Sequence, residues 1–429
     1  MIASEPQTAQ TGILTAFEKQ DFTFDADFSK AIREKAVQKI KALDFPTSKT
    51  EYWKYTRINK IVRASFSPSF PETVEEVNLS VPSKHCLVFI NGYYQEDLSW
   101  TQEKSGVHIM SLSAAKKKSG SLPEKFDSLT KQDEVFAQLN TAYHQDGAFI
   151  HLEKHAIVED PIYLIHITQG SNVISTPRNF IHLEEGSQAK VVLKTLHSGG
   201  KEPSFVNSLS EIFVEKGAHL EVNKIQDEGE QNYQIATEQV HQASNSHFKI
   251  NTFTLSGELV RNNLNIALNG EHTETYLNGL YPLKGKQHVD NHTYVLHRKP
   301  NCESHELYKG ILDDASTGVF NGKVYVHQDA QKTNAYQSNA NIVLTDTASI
   351  NSKPELEIYA DDVKCSHGST TGQLDEEALF YLRARGLSKK SARAVLVNAF
   401  ASDVIEHIGV EDVKNEIEAF INNNYRRIE

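Results

Sequence analysis

Five segments decide the fold: AKVVLK at residues 189–194, AHLEVNKI at 218–225, SHFKINTFTL at 246–255, TETYLNGLY at 273–281 and HTYVLH at 292–297. In each, apolar and polar residues alternate, and turns rich in Gly, Asn, Ser and Asp separate them. Alternation with a period of two marks a strand, and the β-branched and aromatic residues reinforce it. Comparable strands begin at Ala189, Ala218, Ser246, Glu274 and Ser304, at steps of 29, 28, 28 and 30 residues. A β-sandwich predicts no constant period, whereas stacked coils that each pair with the next predict one. The expected fold is therefore mainly β: a right-handed parallel β-helix, or solenoid, flanked by N-terminal and C-terminal helical segments.

Upstream of the repeat the character is mixed. Residues up to about Phe22 are polar and aperiodic, the composition of a poorly ordered end. From Asp27 to Leu43 the residues Phe28, Ile32, Ala36 and Ile40 recur every four positions, which predicts an amphipathic helix ending before Phe45 and Pro46. Trp53 and two tyrosines cluster in PTSKTEYWKYT, read as an aromatic plug packed on the next domain. CLVFING predicts a strand entering a turn, and Leu112–Lys118 and Phe136–Tyr143 predict short helices. The expected division is a mixed N-terminal region 1–145, a β-helix core 146–372 and a C-terminal helical domain 373–429.

Downstream, EIYADDVKCSHGSTTGQLDEEALFYLRARG at 357–386 turns strand into helix. Asp375 is the expected N-cap, Glu376 and Glu377 suit the positive end of the helix dipole, and Gly386 is the left-handed stop. Ser388 caps the next helix, and Val413, Ile417, Phe420 and Ile421 mark the last. With Val363–His367 extended, Cys365 and His367 face the same side roughly 6.6 Å apart.

Composition excludes several functions. No apolar run approaches the roughly 20 residues of a membrane span, and MIASEPQTAQTG lacks the basic and apolar regions of a secretory signal. A cytoplasmic protein is expected. The net charge of −12 disfavours nucleic acid. The three cysteines, Cys86, Cys302 and Cys365, are too few for a four-thiolate cluster site and form no CxxC pair. There is no GxSxG, HExxH or GxGxxG, and GLYPLKGKQ at 279–287 has one residue too many between its glycines for a phosphate loop and ends in Gln. This chain is not expected to bind or hydrolyse ATP. Asp313–Asp314 and Asp361–Asp362 read as turn residues, since strand neighbours point to opposite faces. Among the 19 histidines, His288, His292, His297, His305 and His327 read as surface or ladder residues, and Cys302 as structural.

Three stretches, PTSKTEYWKYT, FAQLNTAYHQDGAFIHL and above all CSHGSTTG followed by LFYLRARG, resemble the SufB/SufD family of the SUF iron–sulfur cluster assembly machinery, most closely its SufD members. SufB-type chains usually carry an acidic residue where Gly368 stands. The resemblance implies a non-enzymatic scaffold subunit that pairs with a SufB-like chain through the ends of their β-helices and docks a SufC-like ABC-type ATPase on its C-terminal helices. It further implies a transient iron–sulfur cluster shared with the partner chain, with His367 as its ligand and Cys365 as a supporting or alternative one. An isolated chain has a β edge that a second copy can satisfy, so a homodimer is expected in its absence. A β-helix carbohydrate-active enzyme is the alternative; it requires convergent carboxylates or a calcium site, which the sequence does not offer.

Overall fold

The computed structural model describes residues 13, 27–70, 81–120, 122–131 and 133–426; the expectation for the first 22 residues lies almost wholly outside them. The protein is mainly β, with 44% strand and 22% helix, and forms a parallel solenoid of about 8 turns. Each coil gives one strand to each of two sheets. The first sheet runs from His85–Ile90 and Ile162–Gln169 through Gln188–Ser198, His219–Asp227, His247–Ser256, Glu274–Leu283, Glu303–Leu312 and Thr333–Val343 to Val363–Gly372. The second runs from Ala148–Leu152 through Arg178–Leu183 and Phe205–Val214 to Thr317–Val326 and Ser349–Ile358. The first sheet thus begins upstream of Asp146.

The repeat is real, but its steps vary more than the expected strand starts do. Gln188, His219, His247, Glu274, Glu303 and Asn334 stand in one row, at steps of 31, 28, 27, 29 and 31 residues. Ala218 lies in the turn before its strand, and Ser304 pairs with Thr275 rather than Glu274. One corner sets the period. His155, Gly186, Gly217, Asn245, His272, Asn301 and Lys332 occupy the same turn of successive coils, all with φ between 57° and 68°. A left-handed residue is what lets the chain reverse there, and Gly and Asn tolerate it best. The expected turn residue Asp314 is also left-handed, with φ 52°.

A single apolar core fills the solenoid from Leu87 to Ala360, with Cys365 packed at its end. It is not wholly apolar: Lys224 Nζ donates to Glu238 Oε1 at 2.7 Å and to Asn262 Oδ1 at 3.0 Å, deep inside. Both outer faces are covered. The helices Lys389–Ile405 and Glu411–Arg426 bury Val397, Ala401, Val404, Ile417 and Ile421 against Ile225, Phe253, Leu280 and Ile311 of the first sheet. The helices Asp27–Ala42 and Val135–Tyr143 pack with Trp53 on Phe205, Tyr233, Ile235 and Leu259 of the second. Trp53 is the plug its sequence predicts, sandwiched between Phe136 and the Arg261 guanidinium, which lies 3.7 Å from its ring.

The two ends of the solenoid differ. At the first, Tyr93–Tyr94 and Trp100–Thr101 close His85–Ile90 in antiparallel fashion, and Val107–Ser111 does the same for Ala148–Leu152. At the far end, Ser349–Ile358 and Val363–Gly372 each have, among the described residues, a strand partner on one side only.

Candidate functional site

Open strand edges leave backbone N–H and C=O groups free to pair with another chain. Val363–Gly372 is such an edge, and its neighbour Thr333–Val343 fixes where its side chains go. Cys365 is paired with Ala335 and His367 with Gln337, and Ala335, Gln337 and Asn339 are all buried inward positions. By the period of two, Val363, Cys365, His367, Ser369 and Thr371 therefore line the mouth of the solenoid. Cys365 is half-buried against the core and burial pushes its thiol up. His367 is exposed, with no further coil above it among the described residues. The structure thus brings together the two residues singled out in the sequence, on one face of one edge strand. A Cβ at Gly368 would meet only open space.

Among the described residues, no three His, Cys, Asp or Glu side chains converge in a metal-binding arrangement. Cys365 and His367 therefore offer a partial ligand set, one soft sulfur and one imidazole, on a surface a second chain can reach.

Below His367 lies a polar column that sequence reading missed. Gln337, 3% exposed, donates its Nε2 to Glu306 Oε2 at 2.7 Å. Glu306 is buried one coil deeper, and desolvation pushes its carboxyl up to about 7. The signal was available: stepping back 30 and then 31 residues from His367, one coil at a time, lands on both.

The other candidates are structural. Burial pushes the Cys86 thiol up to about 12, and Cys302 is fully buried with its Sγ 3.2 Å from the Gly270 carbonyl. His292 pairs with Asp290 at 3.0 Å, His297 with Ser304 at 2.9 Å, and His305 stacks between Tyr276 and Tyr336. GLYPLKGKQ is strand and corner rather than a loop; at Gly279 a Cβ would lie 2.2 Å from the Tyr308 ring.

Beyond the mouth the chain passes into the helix Glu376–Ala384. Asp375 accepts from the Glu377 and Ala378 amides, and Ser388 accepts from Ser391, as their sequence predicts. Gly386 takes φ 94°. Only Leu379 of this helix is buried, while Phe380 is 74% and Tyr381 57% exposed. Two large apolar side chains so exposed on one turn make this helix a candidate contact surface.

Two family descriptions match this chain: "SUF system FeS cluster assembly, SufBD core domain" over residues 166–400, and "SufBD protein N-terminal region" over residues 15–164. The chain is similar to the iron–sulfur cluster assembly protein SufD of Escherichia coli, 32% identical over 95% of this chain and 96% of that protein. It is also similar to the SufBD family protein slr0076 of Synechocystis, 31% identical over 90% of this chain and 88% of that one. Protein ABCI7, chloroplastic, of Arabidopsis thaliana is 28% identical over 90% of this chain and 84% of its own length. The chain belongs to the SufBD family of iron–sulfur cluster assembly proteins.

Proposed function

We propose that this protein is a SufD-type scaffold subunit without catalytic activity of its own. It works in the cytosol, pairing through the open end of its solenoid with a SufB-like chain and docking a SufC-like ABC-type ATPase on its C-terminal helices. The cargo is a nascent iron–sulfur cluster at the junction, held by His367, with Cys365 in support and the remaining ligands from the partner. The observation that carries this reading is an uncapped β edge bearing Cys365 and His367 together.

The chemistry suits temporary custody. Clusters prefer thiolates, so an imidazole ligand on one chain and the rest on another leaves the cluster more easily released. The exposed Phe380 and Tyr381 supply an apolar anchor for the ATPase, whose closure would be transmitted through helices packed on the first sheet.

Co-purification of the chain with its SufB-like and SufC-like partners, followed by anaerobic reconstitution, tests this directly. His367→Ala is expected to retain the complex and lose or destabilise the cluster's visible absorption. Unchanged absorption in that variant would remove His367 from the ligand sphere.

A further inference from the structure

We propose that Gln337 is a positioning residue for His367: held from below by Glu306, its amide turns its oxygen to one ring N–H of His367 and leaves the other ring nitrogen for iron. The inference rests on the assignment of His367 as a cluster ligand.

Four observations point the same way. Gln337 is the strand partner of His367, one coil beneath it and on the same inward face. Its Nε2 donates to Glu306 Oε2, which accepts whenever that carboxyl is ionised, and this orientation turns the amide oxygen away from Glu306. Its Oε1 is buried and has no hydrogen-bond partner among the described residues. Finally, the opposite sheet makes room for this amide: a Cβ at Gly322 would lie 2.2 Å from Gln337 Nε2.

A buried carbonyl oxygen left without a donor is costly, and native structures rarely keep one without a reason. An imidazole that binds a metal almost always gives its other N–H to a fixed acceptor, which sets the tautomer and the ring plane. The missing donor and the missing acceptor are adjacent in one column. The fixed end lies in the protein interior, where rotamers are locked. The free end sits at the mouth, where the His367 ring can turn to meet the amide oxygen.

The test uses the assembled complex, reconstituted anaerobically with ferrous iron and sulfide at pH 8, where Glu306 is ionised. Wild type, His367→Ala, Gln337→Met and Gln337→Asn are compared by the rate of cluster loss to a chelator and by nitrogen hyperfine coupling in pulsed EPR of the reduced cluster. Gln337→Met keeps the volume and removes the acceptor; it is expected to lose cluster roughly tenfold faster and to alter the coupling without abolishing it. Gln337→Asn keeps the amide but withdraws it, should behave the same way, and decides the matter if the Met variant fails to assemble. If His367→Ala abolishes the coupling while both Gln337 variants match wild type, the positioning role is wrong and the ligand assignment stands. If His367→Ala also matches wild type, the ligand assignment itself fails.

Discussion

Lys224→Met should destabilise the solenoid far more than replacing both members of its ion pair. Lys224 and Glu238 are 1% and 3% exposed at the side chain and 2.7 Å apart, with Asn262 as the lysine's second acceptor. Removing the lysine strands a carboxylate in the core. Its cheapest escape is to take up a proton, which at pH 7 against an ordinary value near 4.3 costs about 3.7 kcal/mol. That agrees with the roughly 3–5 kcal/mol typical of breaking one side of a buried pair, against a total stability of about 5–15 kcal/mol. Because the orphaned Glu238 would bind its proton more tightly folded than unfolded, the penalty should shrink by about 1.4 kcal/mol for each pH unit lowered towards 5. Lys224→Met with Glu238→Leu removes both charges and should fall within about 1.5 kcal/mol of wild type. Urea unfolding followed by far-ultraviolet circular dichroism, on the four proteins of the cycle at pH 7 and pH 5, measures this. A loss under 1 kcal/mol for Lys224→Met at pH 7, or the same loss at pH 5, would show that no stranded carboxylate destabilises the variant.

Other perturbations probe other parts of the molecule. Glu228 is buried, and although a hydrogen bond from Thr195 favours its charged form, desolvation outweighs this and lifts it from 4.5 to about 8. Its folded pKa is raised, so stability should fall as pH rises from 4.5 towards 8, by up to about 1.4 kcal/mol per unit; Glu228→Gln should flatten urea midpoints across that window, and an unchanged slope counts against it. Trp53→Ala should cost about 3–5 kcal/mol, because the ring fills the contact between Phe136 and Arg261; a midpoint shift worth less than 1 kcal/mol would show that the plug does not hold the N-terminal helices down. Phe380→Ser should leave stability within about 0.5 kcal/mol yet weaken capture of the SufC-like ATPase roughly tenfold, as titration calorimetry would show; unaltered affinity would move the docking surface elsewhere.

The solenoid was legible because its period survives in spacing, but the corner that enforces it was not. Of the seven left-handed corner positions only Gly186, Gly217, Asn245 and Asn301 hold residues that advertise a turn; His155, His272 and Lys332 do not. The alternation in AHLEVNKI also misleads. Leu220 and Val222 point inward, but so does Lys224, while Ile225 points outward beneath the C-terminal helices. A strand buried on both faces loses the clean inside–outside pattern that reading from sequence depends on. For the same reason the helices gave no sign of where they pack: those of both termini lie along the sheets, not across the ends.

The site was half visible. Cys365 and His367 stand two apart on one strand, so their shared face follows from the period of two alone. Gln337 and Glu306 come from other coils, and only an accurate register connects them. Four of the five strand starts taken from sequence were one residue off, enough to place either residue on the wrong face.

We place the contact with the cluster-sharing partner at the open mouth of the solenoid, not on its helical faces. A photo-reactive amino acid placed at the exposed edge residue Thr371, in chains co-expressed with both partners, tests it most directly. Irradiation should join this chain to the SufB-like subunit from position 371 and to the SufC-like ATPase from position 380. Capture of the SufB-like subunit from position 380 alone, with none from 371, would put that partner on the helical surface instead.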